Sequence, residues 1–285
     1  MSRSKEMDLT TGNPFWSLLK FAIPVILGNL FQLFYTLADS VIVGKTLGAE
    51  SLAAVGSTSI IIYFVFCFIN GFTGGFGICL GQRCGAKDEK GMRKSIAVST
   101  LLSIAFTVVL TLVCCLLAHQ ILSWMQIPED ISGEAYDYMF VVLLGTGATV
   151  FYNMISNMLR ALGDSKTPLY FLVFSSVLNI FLDILFIVPM HMGVAGAAWA
   201  TVIGQYISVI LVIRYLLHCK TVDLKPEHLK PAVCYVKKDM VLGAAACSNQ
   251  LAMMVVQLVM NKSLTYYGGL LFWTGWVEFL FMYFA

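Results

Sequence analysis

Charge is what this sequence has least of. Only 12% of the 285 residues are charged, against roughly 25% in an ordinary soluble domain. A soluble enzyme of this length needs a wetted polar surface, and these residues do not supply one. The net charge of +2 is too small for nucleic-acid binding by bulk electrostatics. The eight cysteines form no Cys-x-x-Cys pair, and the four histidines do not join them at zinc spacing, so buried reduced thiols are expected rather than a metal centre. No glycine-rich nucleotide loop of the GxGxxG or Walker type occurs, which leaves nucleotide-driven chemistry without support. No His–carboxylate or Ser–Lys pair shares an expected helix face, so no enzyme and no cofactor is expected.

What is abundant is apolar. Hydrophobic residues make up 59% of the chain, with a mean hydropathy of +0.82. That composition excludes disorder and leaves an all-α polytopic membrane protein embedded in the lipid bilayer. Apolar periodicity predicts helices at 15–43, 52–81, 95–118, 137–160, 168–190, 193–217 and 240–266. Each exceeds the about 20 residues a span requires. The first stretch does not read as a signal peptide, because its apolar core is too long and Glu6 and Asp8 precede it.

Basic residues fix a sidedness. Arg3, Lys5 and Lys20 flank the start of the first span. Arg83, Lys87, Lys90, Arg93 and Lys94 lie between the second and third, and Arg160 and Lys166 between the fourth and fifth. Arg214, Lys220, Lys225, Lys230, Lys237 and Lys238 follow the sixth. The alternate loops of these six spans hold only Lys45. The positive-inside rule then places the N-terminus in the cytoplasm of a multi-pass cell-membrane protein. The expected organisation is a cytoplasmic tail at 1–13, a six-helix lobe at 14–217, a charged linker at 218–239, a first helix of a second bundle at 240–267 and a divergent apolar tail at 268–285.

An ionisable side chain inside a span costs about 2.5–3.5 kcal/mol on insertion scales, so each needs a reason. Asn29, Gln32, Thr36 and Asp39 step by helical spacing along one face of the first span. Ser176, Asn179 and Asp183 do the same on the fifth. At 1.5 Å per residue, Asp39 lies about 6 Å from the outer end of its span, Asp183 about 10 Å and Thr201 about 12 Å. One cavity in the outer half of the bilayer can hold all three. Two carboxylates there repel each other and are poorly solvated, and binding H⁺ or Na⁺ relieves both penalties. Asn179 and Thr201 add neutral oxygens. The alternative for Asp39 is an interfacial side chain snorkelling to water. Gln32, Asn153, Asn157 and Gln257 are candidates for a substrate cleft or for interhelical hydrogen bonds. No metal other than Na⁺ suits these residues. Gly71 and Gly75, Gly77 and Gly81, and Gly196, Ala200 and Gly204 have the four-residue spacing of close helix packing. Pro24 removes a backbone hydrogen bond within the first span, giving either a hinge or a fixed bend.

The segments FAIPVILGNLFQLFYTLADSVIVGKTLGAESLAAVG at 21–56, GQRCGAKD at 81–88, NMLRALGDSKTP at 157–168, LNIFLDILFI at 178–187 and GVAGAAWAT at 193–201, in this order, resemble the multidrug and toxic compound extrusion (MATE) family. The resemblance implies a secondary antiporter of two six-helix lobes around a central cleft. Such proteins export organic cations and drugs across the plasma membrane while H⁺ or Na⁺ runs inward. It places the cation site on Asp39, Asn179, Asp183 and Thr201, and assigns Pro24 to the proline that bends with the state of that site. Family members are longer, and the sequence after Tyr267 does not read like them, so a frameshifted or truncated member is expected. The alternatives are a non-transporting fragment or half-lobe that self-associates or needs a partner, and a lipid-linked oligosaccharide flippase. A flippase would be expected to line its cavity with cations for pyrophosphate, where aspartates stand here.

Overall fold

A computed structural model describes residues 13–124, 127–218 and 233–266. The described residues form eight α-helices: α1 (Pro14–Thr46), α2 (Ala49–Gly85), α3 (Glu89–Trp124), α4 (Glu129–Leu144), α5 (Thr146–Ala161), α6 (Lys166–Ile187), α7 (Gly193–His218) and α8 (Val233–Tyr266). Six are long and apolar enough to cross a membrane, and α4 with α5 makes a seventh if the bent pair is one span. The chain is therefore a multi-pass membrane protein.

Local chemistry sets the helix ends. Asn13 accepts from the Phe15 amide at 3.0 Å, with Pro14 opening α1. Gly48 takes a φ of 96° in the tight turn before α2, a left-handed conformation that costs a glycine little. Asp88 accepts from the Gly91 amide at 2.9 Å and so caps α3. At the head of α6, Asp164 accepts from the Thr167 amide at 3.0 Å and from its hydroxyl at 2.6 Å. The Tyr215 hydroxyl reaches the same carboxylate at 3.2 Å and ties this turn to α7.

α2 is the central helix, packed against α3, α4, α5 and α8, while α1 packs on α6 and α6 on α7. One buried apolar cluster joins Phe72, Phe76, Met154, Met158 and Val212. Another joins Ala54, Val65, Ile69, Met139 and Leu143 nearer the opposite end of α2. Large apolar side chains such as Val109, Leu112 and Leu116 point outward from α3, as a lipid-facing surface requires.

The expected fourth span is not one helix. It is bent by 44° between α4 and α5, and its first part begins at Glu129 rather than 137. The break falls at Gly145, and the Thr146 hydroxyl donates to the carbonyl of Leu143 beside it. Back-bonding of this kind bends helices. A Cβ on Gly145 would also meet Val202 Cγ2 at 2.4 Å, so the bend is seated against α7. Other boundaries also differ from expectation, and α1 and α2 each run a few residues beyond their expected spans. α3 runs from 89 to 124, α6 ends at Ile187, and α8 starts at Val233, inside the expected linker. Hydropathy marks the apolar core of a span, whereas backbone hydrogen bonding continues through polar turns beyond it.

Candidate cation-coupling site

The site begins with close helix approaches. Gly28 on α1 faces Leu172 and Leu169 of α6, where an added Cβ would already lie at 3.6 Å from a leucine methyl. Gly196 sits against Phe186, and Gly204 against Ser175 and Asn179. These small residues draw α1 and α7 onto either side of α6. The Ser175 hydroxyl fixes the second approach, donating to the Gly204 carbonyl at 3.2 Å.

Polar side chains of α1, α6 and α7 then come together. The Asn179 side-chain amide donates to Thr201 Oγ1 at 3.2 Å across α6 and α7. Asp183 stands one turn above Asn179, fully buried, and its carboxyl lies within reach of that of Asp39 on α1. Tyr138 of α4 is close enough to feel both charges, and Tyr35 approaches it as well. Asp39 Oδ1, Asn179 Oδ1 and both carboxylate oxygens of Asp183 are buried without a hydrogen-bond partner among the described residues. An ionised carboxylate only accepts, so two facing carboxylates cannot satisfy each other without a proton or a cation between them. Buried polar atoms are otherwise paired in the great majority of cases.

A cavity of about 120 Å³ adjoins this cluster. Gln32, Asn70, Asn153 and Gln205 line it, and Asn179 and Thr201 form part of its wall. The lining carries no formal charge. The Thr149 hydroxyl donates to Gln205 Oε1 at 2.6 Å and the Asn153 amide to the Thr149 carbonyl at 2.9 Å, which orders that wall. Gln32 and Asn153 thus reach the cavity, as one of their two expected roles requires. Asn157 does not line it. Its amide donates to Thr73 Oγ1 at 3.3 Å, which makes it an interhelical contact between α5 and α2. Gln257 lies on α8 with its side chain outside the described residues. Pro24 lies within a continuous α1.

Sequence reasoning missed Tyr138, Asn70, Gln205 and Ser208. For the last two a signal existed: Thr201, Gln205 and Ser208 step by four and three along α7, the same spacing that exposed the other two polar stripes. Tyr138 gave no comparable signal, because it is one of several aromatics around Asp137 with no polar stripe of its own, and only the packing of α4 brings it to the acids.

These features define a helical membrane lobe of the transporter type, with an acid pair beside a polar cavity. The family model described as MatE matches residues 24–185, and the chain belongs to that family. A probable multidrug resistance protein of Bacillus subtilis, YpnP, is 36% identical over 218 residues, covering 76% of this chain and 49% of that protein. The multidrug export protein MepA of Staphylococcus haemolyticus is 24% identical over 255 residues, covering 89% of this chain and 56% of that protein. Among solved structures, an outward-facing multidrug resistance MATE transporter of the MOP superfamily superposes with a TM-score of 0.85 at 27% identity, over 92% of this chain and 58% of that one. A MATE protein in a bent conformation gives a TM-score of 0.85 at 29% identity, over 94% and 60%. The chain spans about half the length of the curated relatives it matches.

Proposed function

We propose that this chain supplies the ion-coupling lobe of an antiporter that exports bulky organic cations and drugs in exchange for H⁺ or Na⁺. The observation that carries the reading is the facing pair Asp39 and Asp183, with both Asp183 oxygens and Asp39 Oδ1 buried and without a donor among the described residues. Asn179 and Thr201 complete a set of hard oxygen ligands of the kind a proton or Na⁺ takes. The family match and the multidrug-resistance names of the relatives supply the substrate class.

Coupling follows from a shared wall. Asn179 stands one turn from Asp183 on α6 and, with the Thr201 it bonds, forms part of the cavity wall. Ion binding neutralises the pair, draws α1 and α6 together and reshapes the cavity. In the ion-free state the carboxylates attract a cationic drug. The cavity of about 120 Å³ is smaller than the roughly 300–1,000 Å³ of sites for drug-sized ligands, so substrate entry needs a wider arrangement. Differential ion affinity for the two arrangements shifts the population between them, and Pro24 on the helix that carries Asp39 is the proposed hinge. The basic loops support a cytoplasmic N-terminus and α2–α3 turn, a reading in which the acid pair lies in the outer half of the membrane.

The test is efflux. Cells producing a full-length two-lobe version of the protein should retain less of a fluorescent organic cation than cells without it, and Asp183→Asn at matched expression should return retention to the control level. Equal efflux by this variant would sink the site assignment.

A further inference from the structure

A second buried carboxylate lies at the other end of the bundle, on a residue the sequence assigns to the charged linker. Asp239 of α8 is fully buried. Its Oδ2 accepts from the Ser99 hydroxyl of α3 at 3.1 Å, and its Oδ1 has no hydrogen-bond partner among the described residues. Cys79 of α2 lies beside it, with Ser95 of α3 next to Cys79. Arg83 and Lys238 are the cations that face it. The Arg83 guanidinium is engaged elsewhere, 3.8 Å from Asp88 and 4.1 Å above the ring of Tyr235, to which Lys94 also points at 5.8 Å.

This place is far from the Asp39–Asp183 pair. Asp39 sits within two turns of the α1–α2 turn. Cys79 lies thirty residues along α2 from that turn, which at 1.5 Å per residue is about 45 Å. It is also where α8 joins the six-helix lobe. A Cβ at Gly75 would lie 2.4 Å from Gly243 Cα, and one at Gly71 would lie 2.5 Å from Cys247 Cα. The two helix backbones therefore touch just beyond Asp239.

We propose that Asp239 is a second proton-binding site, set on the seam between α2, α3 and α8. Protonation converts its carboxylate to a neutral acid. The proton sits on the free Oδ1 while Ser99 holds Oδ2, and it exchanges with water at this end of the bundle, where Asp88 is half-exposed. Loss of the proton leaves a charge in the seam whose Oδ2 keeps the Ser99 hydroxyl while its Oδ1 has no donor. Arg83 must then leave Asp88 and Tyr235 to pair with it, or the seam must open to water. Either change moves α8 against α2. The existence of the site is independent of the proposed antiport, whereas its use as a coupling station rests on that reading.

Infrared spectroscopy of the full chain in lipid, titrated with acid and base, tests the site without any transport. In an Asp39→Asn, Asp183→Asn background a titrating carboxylic-acid C=O band from a buried group should remain. Adding Asp239→Asn should remove it. Identical titrations with and without Asp239→Asn would overturn the proposal, because Asp239 would then hold one charge state throughout. If Asp239→Asn does not fold, Ser99→Ala keeps the carboxyl and removes only its donor. The band should then shift in frequency, and an unmoved band would overturn the proposal equally. Lost efflux with this band intact would count against the antiport reading alone.

Discussion

Asp183 has both carboxylate oxygens buried and no donor to either among the described residues. A buried polar group left unpaired costs about 1–3 kcal/mol, and more when charged. The site is therefore destabilising, as an ion-binding site is when its ligand is absent. Asp183→Asn should raise the unfolding temperature of the purified protein while removing efflux, because the new amide can donate to the free Oδ1 of Asp39. Thermal unfolding in detergent checks this, and a lower melting temperature would mean that Asp183 holds the fold together. At this scale the sequence was informative where helical spacing made a stripe. Asp39, Asn179 and Asp183 could be grouped because each lies on a polar face of an otherwise apolar helix. Asp239 could not, because it follows Lys237 and Lys238 and so reads as the end of a linker. Its burial comes from α8 packing onto α2 and α3, which no local pattern encodes.

Among helices, small residues decide what can touch. The α2–α8 seam places Gly71 and Gly75 against Cys247 and Gly243, and Gly77 faces Asn157 of α5 at 3.2 Å for an added Cβ. Gly75→Ala must push backbone against backbone, since the atoms met are Gly243 N and Cα at 2.4 Å. Overpacking of this kind costs about 1–3 kcal/mol. Gly74→Ala meets nothing within 4 Å and should gain up to about 1 kcal/mol from helix propensity. Opposite shifts in melting temperature for these neighbouring substitutions are the expected result, and equal shifts would contradict the seam. The four-residue spacing of these glycines was visible in the sequence, although their partner helices were not. The bend at Gly145 was invisible because hydropathy carries no direction. The predominantly apolar segment from 137 to 160 reads as one span even when a glycine and a back-bonding threonine turn it by 44°.

For the molecule as a whole, the two carboxylate sites and the lobe seam acquire meaning only from their orientation in the membrane. Asp39 and Asp183 lie toward the α1–α2 turn, and Asp239 toward the α2–α3 turn. If the basic loops face the cytoplasm, the acid pair loads ions from outside and Asp239 meets the cytoplasm. Exposed positions on opposite ends can report this. Lys87 is exposed in the α2–α3 turn and Glu134 is exposed near the start of α4. Lys87→Cys and Glu134→Cys each add one thiol at a polar surface. With a membrane-impermeant maleimide on intact cells, Glu134→Cys should take up label beyond that of the parent protein. Lys87→Cys should do so only after the membrane is opened. The reverse pattern would invert the molecule. The acid pair would then face the cytoplasm, an inward ion gradient could not load it from outside, and the coupling scheme would have to be built on Asp239 instead.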